Sequence, residues 1–308
     1  MRSNLLLPLS LVVALAASSA RAMNGFDLSN LTVPRTEVFS GGPPRDGIPS
    51  IDEPKFDSVT NASWLQDGDL VVGVSIGDEH RAYPIRILVW HEIVNDTVGG
   101  KPVAVTYCPL CGTAMTFERE IKGTVHTFGV SGLLYQSDVL MFDRETESLW
   151  SQLAIKSLSG PRVNQPLVWL PSTLSTWKSW KEAHPDSRIL SRETGEQRDY
   201  DHMPYQGYED REDTIFPVPA HRTELGNKEW VLGLLVEGKA LALPLSALAK
   251  KAAGPITVKV GESTILVTFD PVTRAASARR SDGETIPLVH VYWFAWQAFY
   301  PETVLWEV

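Results

Sequence analysis

The sequence predicts an α+β, strand-rich fold built from two related β-hairpin/helix repeats, the first of which carries a long insert. Three observations carry that expectation. At 308 residues, 43% hydrophobic and 21% charged, the chain has the composition of a packed globular protein and the length of one large domain or two ordinary ones. Its apolar segments are short and broken by Gly, Pro and acidic turns, so they read as strand, turn, strand and then a brief helix. Three blocks recur in the same order along the chain, which is the signature of an internal duplication.

The recurrence is explicit. "VGVSIGDEHRAYPIRIL" (72 to 88) lies against "LGLLVEGKALALPLSAL" (232 to 248) at a shift of 160, pairing Gly73 with Gly233 and Pro84 with Pro244. "VAVTYCP" (103 to 109) lies against "ILVTFDP" (265 to 271) at a shift of 162. "WKSWKEAHPDSRIL" (177 to 190) lies against "WFAWQAFYPETVLW" (293 to 306) at a shift of 116, with each tryptophan pair at the i, i+3 spacing of one helix face. The difference between the shifts of 162 and 116 leaves 46 extra residues in the first copy, roughly 118 to 170. In that insert stand His126, Tyr135, Asp138, Met141, Asp143 and Trp150, residue types that do chemistry as often as they fill space.

In chain order, residues 1 to 22 read as a secretory signal. Arg2 precedes an apolar run from Leu5 to Ala17, and Ala20-Arg21-Ala22 supplies the small residues of a cleavage site. That run is shorter than the roughly 20 residues a membrane span needs. Residues 23 to 53 form an extended N-terminal segment, 54 to 195 the first repeat, 196 to 223 a linker bordering a cleft, and 224 to 308 the second repeat. The expected location is secreted or periplasmic. Cleavage would remove Arg2 and Arg21, leaving 26 basic against 37 acidic residues and a net charge of −11. No basic patch survives to bind nucleic acid or an anionic surface. The most apolar later stretch, 231 to 249, is interrupted by Glu237, Lys239 and Pro244, which argues against a membrane span after signal cleavage.

Both cysteines, Cys108 and Cys111, stand in "TYCPLCGTAMTF". Cys-Pro-x-Cys-Gly at a hairpin turn is the knuckle geometry of zinc ribbons: proline fixes φ, glycine permits a left-handed residue, and two thiolates converge on one ion. In the second copy the same turn holds Asp270 and Thr273, so the hairpin does not need sulfur. Half a tetrahedral ligand set is present. His91, His126 and, for Cu(I), Met141 are candidates to complete a copper or zinc site, with Glu92, Tyr135 or Asp138 as candidate catalytic groups. Two other chemistries stay open: a thiol-disulfide oxidoreductase using Cys108 and Cys111, and a local structural disulfide in a non-enzymatic binding module. The alternating "TAMTFERE" after Cys111 reads as a strand, which disfavours a thioredoxin-like helix, and a short loop closed by a disulfide would stabilise little. Dinucleotide, phosphate-loop, serine-elbow and His-Glu-x-x-His motifs are absent from the sequence.

Through "RAYPIRILVWHEIVNDTVGGKPVAVTYCPLCGTA", "FGVSGLLYQSDVLMFDRETESLWSQ", the tryptophan helix ending in "HPD" and the closing "FAWQAFYPET", the chain resembles a family of exported, mostly bacterial and archaeal proteins catalogued as a domain of unknown function, from about Pro54 to the C-terminus. The resemblance implies that His91, Cys108, Cys111, Tyr135 and Asp138 belong to one motif-bearing region, and it implies no reaction. The partner expected from the residues is a metal ion or a small molecule; oligomeric state has no signature in the sequence.

Overall fold

The computed structural model describes residues 22–251 and 254–307. The expected signal segment lies outside the described residues except for Ala22. Among the described residues no helix is long and apolar enough to cross a membrane. The fold is strand-rich α+β, with short helices between many strands.

A short antiparallel pair, Ala22–Met23 with Phe26–Asp27, opens the described chain, and β1 (Val38–Ser40) and β2 (Phe56–Ser58) follow it before the first hairpin. The hairpin itself is β3 (Leu70–Ile76) with β4 (Glu79–Pro84), turned at Gly77. Its β-branched residues suit a pleated, half-buried surface. Pro84, with φ near −64°, ends the strand and opens α1 (Ile85–His91). Then come β5 (Ile93–Val98), β6 (Lys101–Cys108) and β7 (Thr113–Glu118), an antiparallel meander. The insert opens with a short pairing of Glu120–Ile121 with Thr124–Val125 and continues as an antiparallel sheet of β8 (Phe128–Tyr135), β9 (Asp138–Asp143), β10 (Leu149–Ser151) and β11 (Lys156–Ser159), with β1 of the N-terminal segment on its edge. Ser131 sits in a register shift of β8, where its hydroxyl bonds the Leu140 carbonyl and accepts Leu133 N–H, as turn chemistry requires. The first half closes with β12 (Trp169–Leu170), β13 (Thr173–Thr176), α2 (Trp177–Ala183) and β14 (Arg188–Leu190).

The second half has its elements in a comparable order. It comprises β15 (Trp230–Val236), β16 (Lys239–Pro244), α3 (Leu245–Leu248), β17 (Ile256–Val260), β18 (Ser263–Phe269), β19 (Ala276–Arg280), β20 (Thr285–Ile286), β21 (Leu288–Tyr292), α4 (Trp293–Phe299) and β22 (Val304–Leu305). One sheet of the first half runs β13-β3-β4-β14-β2, with β4 and β14 parallel and β2 antiparallel on its edge, and one of the second runs β21-β15-β16-β22, with β16 and β22 parallel. The other sheets run β5-β6-β7-β12 and β17-β18-β19-β20. Registers agree as well: Tyr107 pairs with Ala114 and Phe269 with Ala276, while Gly73 pairs with Ala82 and Gly233 with Ala242.

The glycines have a packing reason. A β-carbon at Gly73 would enter the Trp180 ring, and one at Gly233 would enter the Trp296 ring. Each tryptophan then donates Nε1–H to a hydroxyl seven residues on, Ser187 or Thr303, both at 2.9 Å. The halves also bond each other reciprocally. Tyr292 N–H donates to the Cys111 carbonyl and Thr176 N–H to the Thr273 carbonyl, both at 2.9 Å. One buried apolar cluster unites the cysteine hairpin, the insert (Phe128, Met141, Trp150) and the second half (Tyr292, Trp293, Trp296).

Candidate metal centre

Cys108 is the last residue of β6 and pairs with Thr113, the first of β7, so the cysteines straddle a tight turn. Gly112 holds φ at 70°, and the Trp230 ring fills the space a β-carbon would take, so glycine is required twice over. The second half fixes the turn from one side through Tyr292. The insert fixes it from the other: Thr113 donates its hydroxyl to Gln152 Oε1 at 2.5 Å and Gln152 Nε2 donates to Thr106 Oγ1 at 2.7 Å. Both thiols are free and buried, with exposures of 1% and 0%.

The third group comes from the insert. Strands β8 and β9 are joined through Gln136 and Ser137, both left-handed (φ 53° and 64°) without being glycine, a conformation that costs on the order of 1 kcal/mol or more at each residue. This turn directs the Ser137 carbonyl at the sulfurs: Cys111 Sγ donates to it at 3.2 Å, and Cys108 Sγ lies at 3.9 Å. Asp138 follows. Its Oδ2 accepts Leu153 N–H at 3.0 Å, while its buried Oδ1 makes no hydrogen bond of ordinary geometry among the described residues. One ligand atom from each of Cys108, Cys111 and Asp138 lies within 4.8 Å of the others, a group able to hold a metal ion. The Leu153 carbonyl in turn accepts the Tyr300 hydroxyl at 2.5 Å, so the second half braces the residue that positions Asp138.

Burial dominates the electrostatics. It pushes the Asp138 carboxyl up to about 7, against the opposing N–H groups of Leu153 and Val139 and the two thiols. It raises both thiols as well, Cys111 the more strongly, with Cys108 beside it adding to the rise. Glu92, left-handed at φ 58° where α1 ends, is pushed up to about 8 by burial and then by Asp138. Four acids therefore share a dry region. Lys228 feels Cys111, but its ammonium donates to the carbonyls of Tyr208, Arg211 and Asp213. The arrangement can accommodate a cation, or it can store protons on groups whose acidity is shifted toward neutrality.

The other residues singled out in the sequence fall in several places. His91 is buried with both nitrogens engaged, Nδ1 with the Pro49 carbonyl and Nε2 with the Tyr200 hydroxyl, each at 2.7 Å. A carbonyl only accepts, so Nδ1 carries the proton and Nε2 accepts from Tyr200. Burial lowers its pKa, which keeps the ring neutral. His91 thus ties the N-terminal segment to the 199–208 loop and does not join the thiol group. His126 also stands outside that group; it bonds the Thr124 carbonyl at 2.9 Å, and its buried Nε2 has no partner. Met141 lies in the same apolar cluster as the cysteines. Tyr135 meets Phe299 edge-on at 5.4 Å. Spacing could not reveal Tyr205 and Tyr208, nearly 100 residues beyond the turn; burial raises both hydroxyls, Tyr205 to about 12, and both also feel the cysteines.

No curated protein and no solved structure matches the chain. Its residues 45–286 match the family described as "Protein of unknown function (DUF3179)", which spans the cysteine turn, the insert and most of the second half, and the chain belongs to that family.

Proposed function

We propose that this is an exported protein built by internal duplication, and that Cys108, Cys111 and Asp138 hold one soft metal ion, zinc in preference to copper. The carrying observation is the grouping of a buried Asp138 carboxylate oxygen with both sulfurs, all within 4.8 Å of one another, on a side chain whose Oδ1 forms no hydrogen bond among the described residues. Such an oxygen costs about 1–3 kcal/mol if left unsatisfied, and a cation satisfies it together with two otherwise unfavourable thiolates. Two thiolates and a carboxylate suit zinc, whereas Cu(I) prefers sulfur and imidazole. Three protein ligands leave a fourth position, and a zinc ion there would make bound water more acidic. Glu92, protonated near neutral pH and acting on Asp138, is the candidate group to hold or release a proton beside it.

The test uses protein purified from its export compartment, with elemental analysis and thiol titration. The expected result is about one zinc per chain and two thiols that react only after chelation, with Asp138→Asn lowering zinc at least tenfold. An intact mass two hydrogens short, with no metal bound, would overturn the proposal.

One observation favours a second reading, thiol-disulfide exchange. An Asp138 oxygen lies within 4.8 Å of Cys111 Sγ and can accept its proton, a transfer that burial of the thiol opposes. The Cys111 thiolate would attack a disulfide R–S–S–R and release one thiol; Cys108 would displace the second, leaving Cys108–Cys111 oxidised and two R–SH reduced. Burial of both sulfurs denies access to a protein disulfide, which is why the metal reading leads.

A further inference from the structure

Beside the cysteine turn, and separate from the three candidate ligands, lies a cleft of about 250 Å³ between the two halves. One wall is aliphatic, with Ile85, Val89 and Leu174, and the other is aromatic, with Tyr107 of the first turn and Trp230 and Tyr292 of the second half. The loop wall is held in place by Lys228, whose three carbonyl bonds to Tyr208, Arg211 and Asp213 measure 3.0 to 3.1 Å. Two lining side chains carry charge, Arg274 and Glu209. Neither forms an ion pair among the described residues. The Arg274 guanidinium lies over the Trp230 ring, 5.1 Å from its centroid.

Arg274 occupies the place in its turn that Gly112 occupies in the other, at the same shift of 162, and both are left-handed, with φ 59° and 70°. Glycine would adopt that backbone with less strain. The arginine instead sets a planar cation, with no ion pair among the described residues, over the Trp230 indole in the cleft wall. Guanidinium stacked on indole is a geometry that leaves its in-plane N–H donors available for a carboxylate.

We propose that this cleft binds a small aromatic monocarboxylate, its ring against Tyr107 and the packed Trp230–Tyr292 pair and its carboxylate on Arg274. Glu209 at the rim disfavours ligands with a second negative charge. The volume admits a single ring with a short substituent and excludes a nucleotide or a folded peptide. The charged reader comes from the second half, while Tyr107, Pro109 and Gly112 of the cysteine turn supply part of the wall.

Benzoate is the probe, titrated by calorimetry and tryptophan fluorescence, with benzamide as its neutral isostere. The expected result is saturable benzoate binding at least tenfold tighter than benzamide, weakened at least tenfold in Arg274→Gly and tightened in Glu209→Gln. Arg274→Gly reproduces the residue of the companion turn, so its backbone is compatible with folding. Its metal content should equal that of the parent protein, and circular dichroism should show the parent fold. Benzoate binding no tighter than benzamide, or unchanged in the folded Arg274→Gly variant, overturns the proposal. Zinc content is measured on the same samples, so loss of the metal reading and loss of the cleft reading are separate results.

Discussion

The turns at 107–112 and 269–274 share a hairpin register, a proline at the same place and a left-handed sixth residue, yet they live in opposite environments. The first is roofed by the insert, and its cysteines are buried against Asp138. The second has no insert above it: Val272 is 83% exposed, and Asp270 caps its own turn by accepting Val272 N–H at 2.8 Å. The two aspartates register the difference. Backbone N–H groups hold Asp270 below its ordinary value, while burial lifts Asp138 to about 7. The backbone of the hairpin thus tolerates Asp-Pro-Val-Thr as readily as Cys-Pro-Leu-Cys, and what sets the sulfurs apart is the covering they meet.

The strongest way to break the comparison is to attack the packing that both halves repeat. Trp180 on Gly73 and Trp296 on Gly233 each fill a slot left by a missing β-carbon and each donate an indole N–H to a buried hydroxyl. Replacing either with alanine should cost about 3–5 kcal/mol, read as equal drops in urea-unfolding free energy. A difference above about 2 kcal/mol between Trp180→Ala and Trp296→Ala would mean that the shared topology does not carry shared energetics.

Much of this packing is legible in the chain itself. Matched glycines and tryptophans at fixed shifts mark the two sheets, because a glycine under an indole leaves a pattern that alternation alone does not. The knuckle turn is equally legible, since proline and glycine there act locally. The ligand set is less so. His91 is 17 residues before Cys108, but α1 ends there and hands its ring to Pro49 and Tyr200, over 40 and 100 residues away. Asp138 reaches the thiols because β8 and β9 fold back through a left-handed Gln-Ser pair, and neither residue advertises that conformation as Asn-Gly would. Contacts that depend on sheets stacking across the insert have no periodic signature.

A second pair of substitutions sharpens the comparison within the turns. Gly112→Ala must place a β-carbon in the Trp230 ring at φ 70° and should cost about 2 kcal/mol. Arg274→Gly relieves a left-handed arginine while losing its stack on the same tryptophan, and the two effects should leave unfolding free energy within about 1 kcal/mol of the parent. Urea titration of both variants measures the asymmetry. Equal costs would show that the first turn is no more tightly covered than the second.

The finest contrast is in pH dependence. The second half ends α3 in Ala249, a right-handed residue without charge, whereas the first half ends α1 in the left-handed, buried Glu92. Burial raises the Glu92 carboxyl from 4.5 to about 8, so in the metal-free chain the folded state holds a proton that the unfolded state has released. Below 4.5 both states are protonated and Glu92 carries no penalty. Between 4.5 and about 8 the folded state binds more protons than the unfolded one, so stability falls as pH rises, by up to about 1.4 kcal/mol per pH unit for this one group. Asp138 adds a similar fall between its ordinary range and about 7. In chelated protein, Glu92→Gln should therefore flatten the decline most clearly between pH 7 and 8, where Asp138 has finished titrating and Glu92 has not. Urea unfolding followed across pH 4 to 8 gives the slope directly. A Glu92→Gln slope identical to the parent's over that last unit would show that Glu92 is ionised in the fold, and that the left-handed end of α1 meets water or a cation.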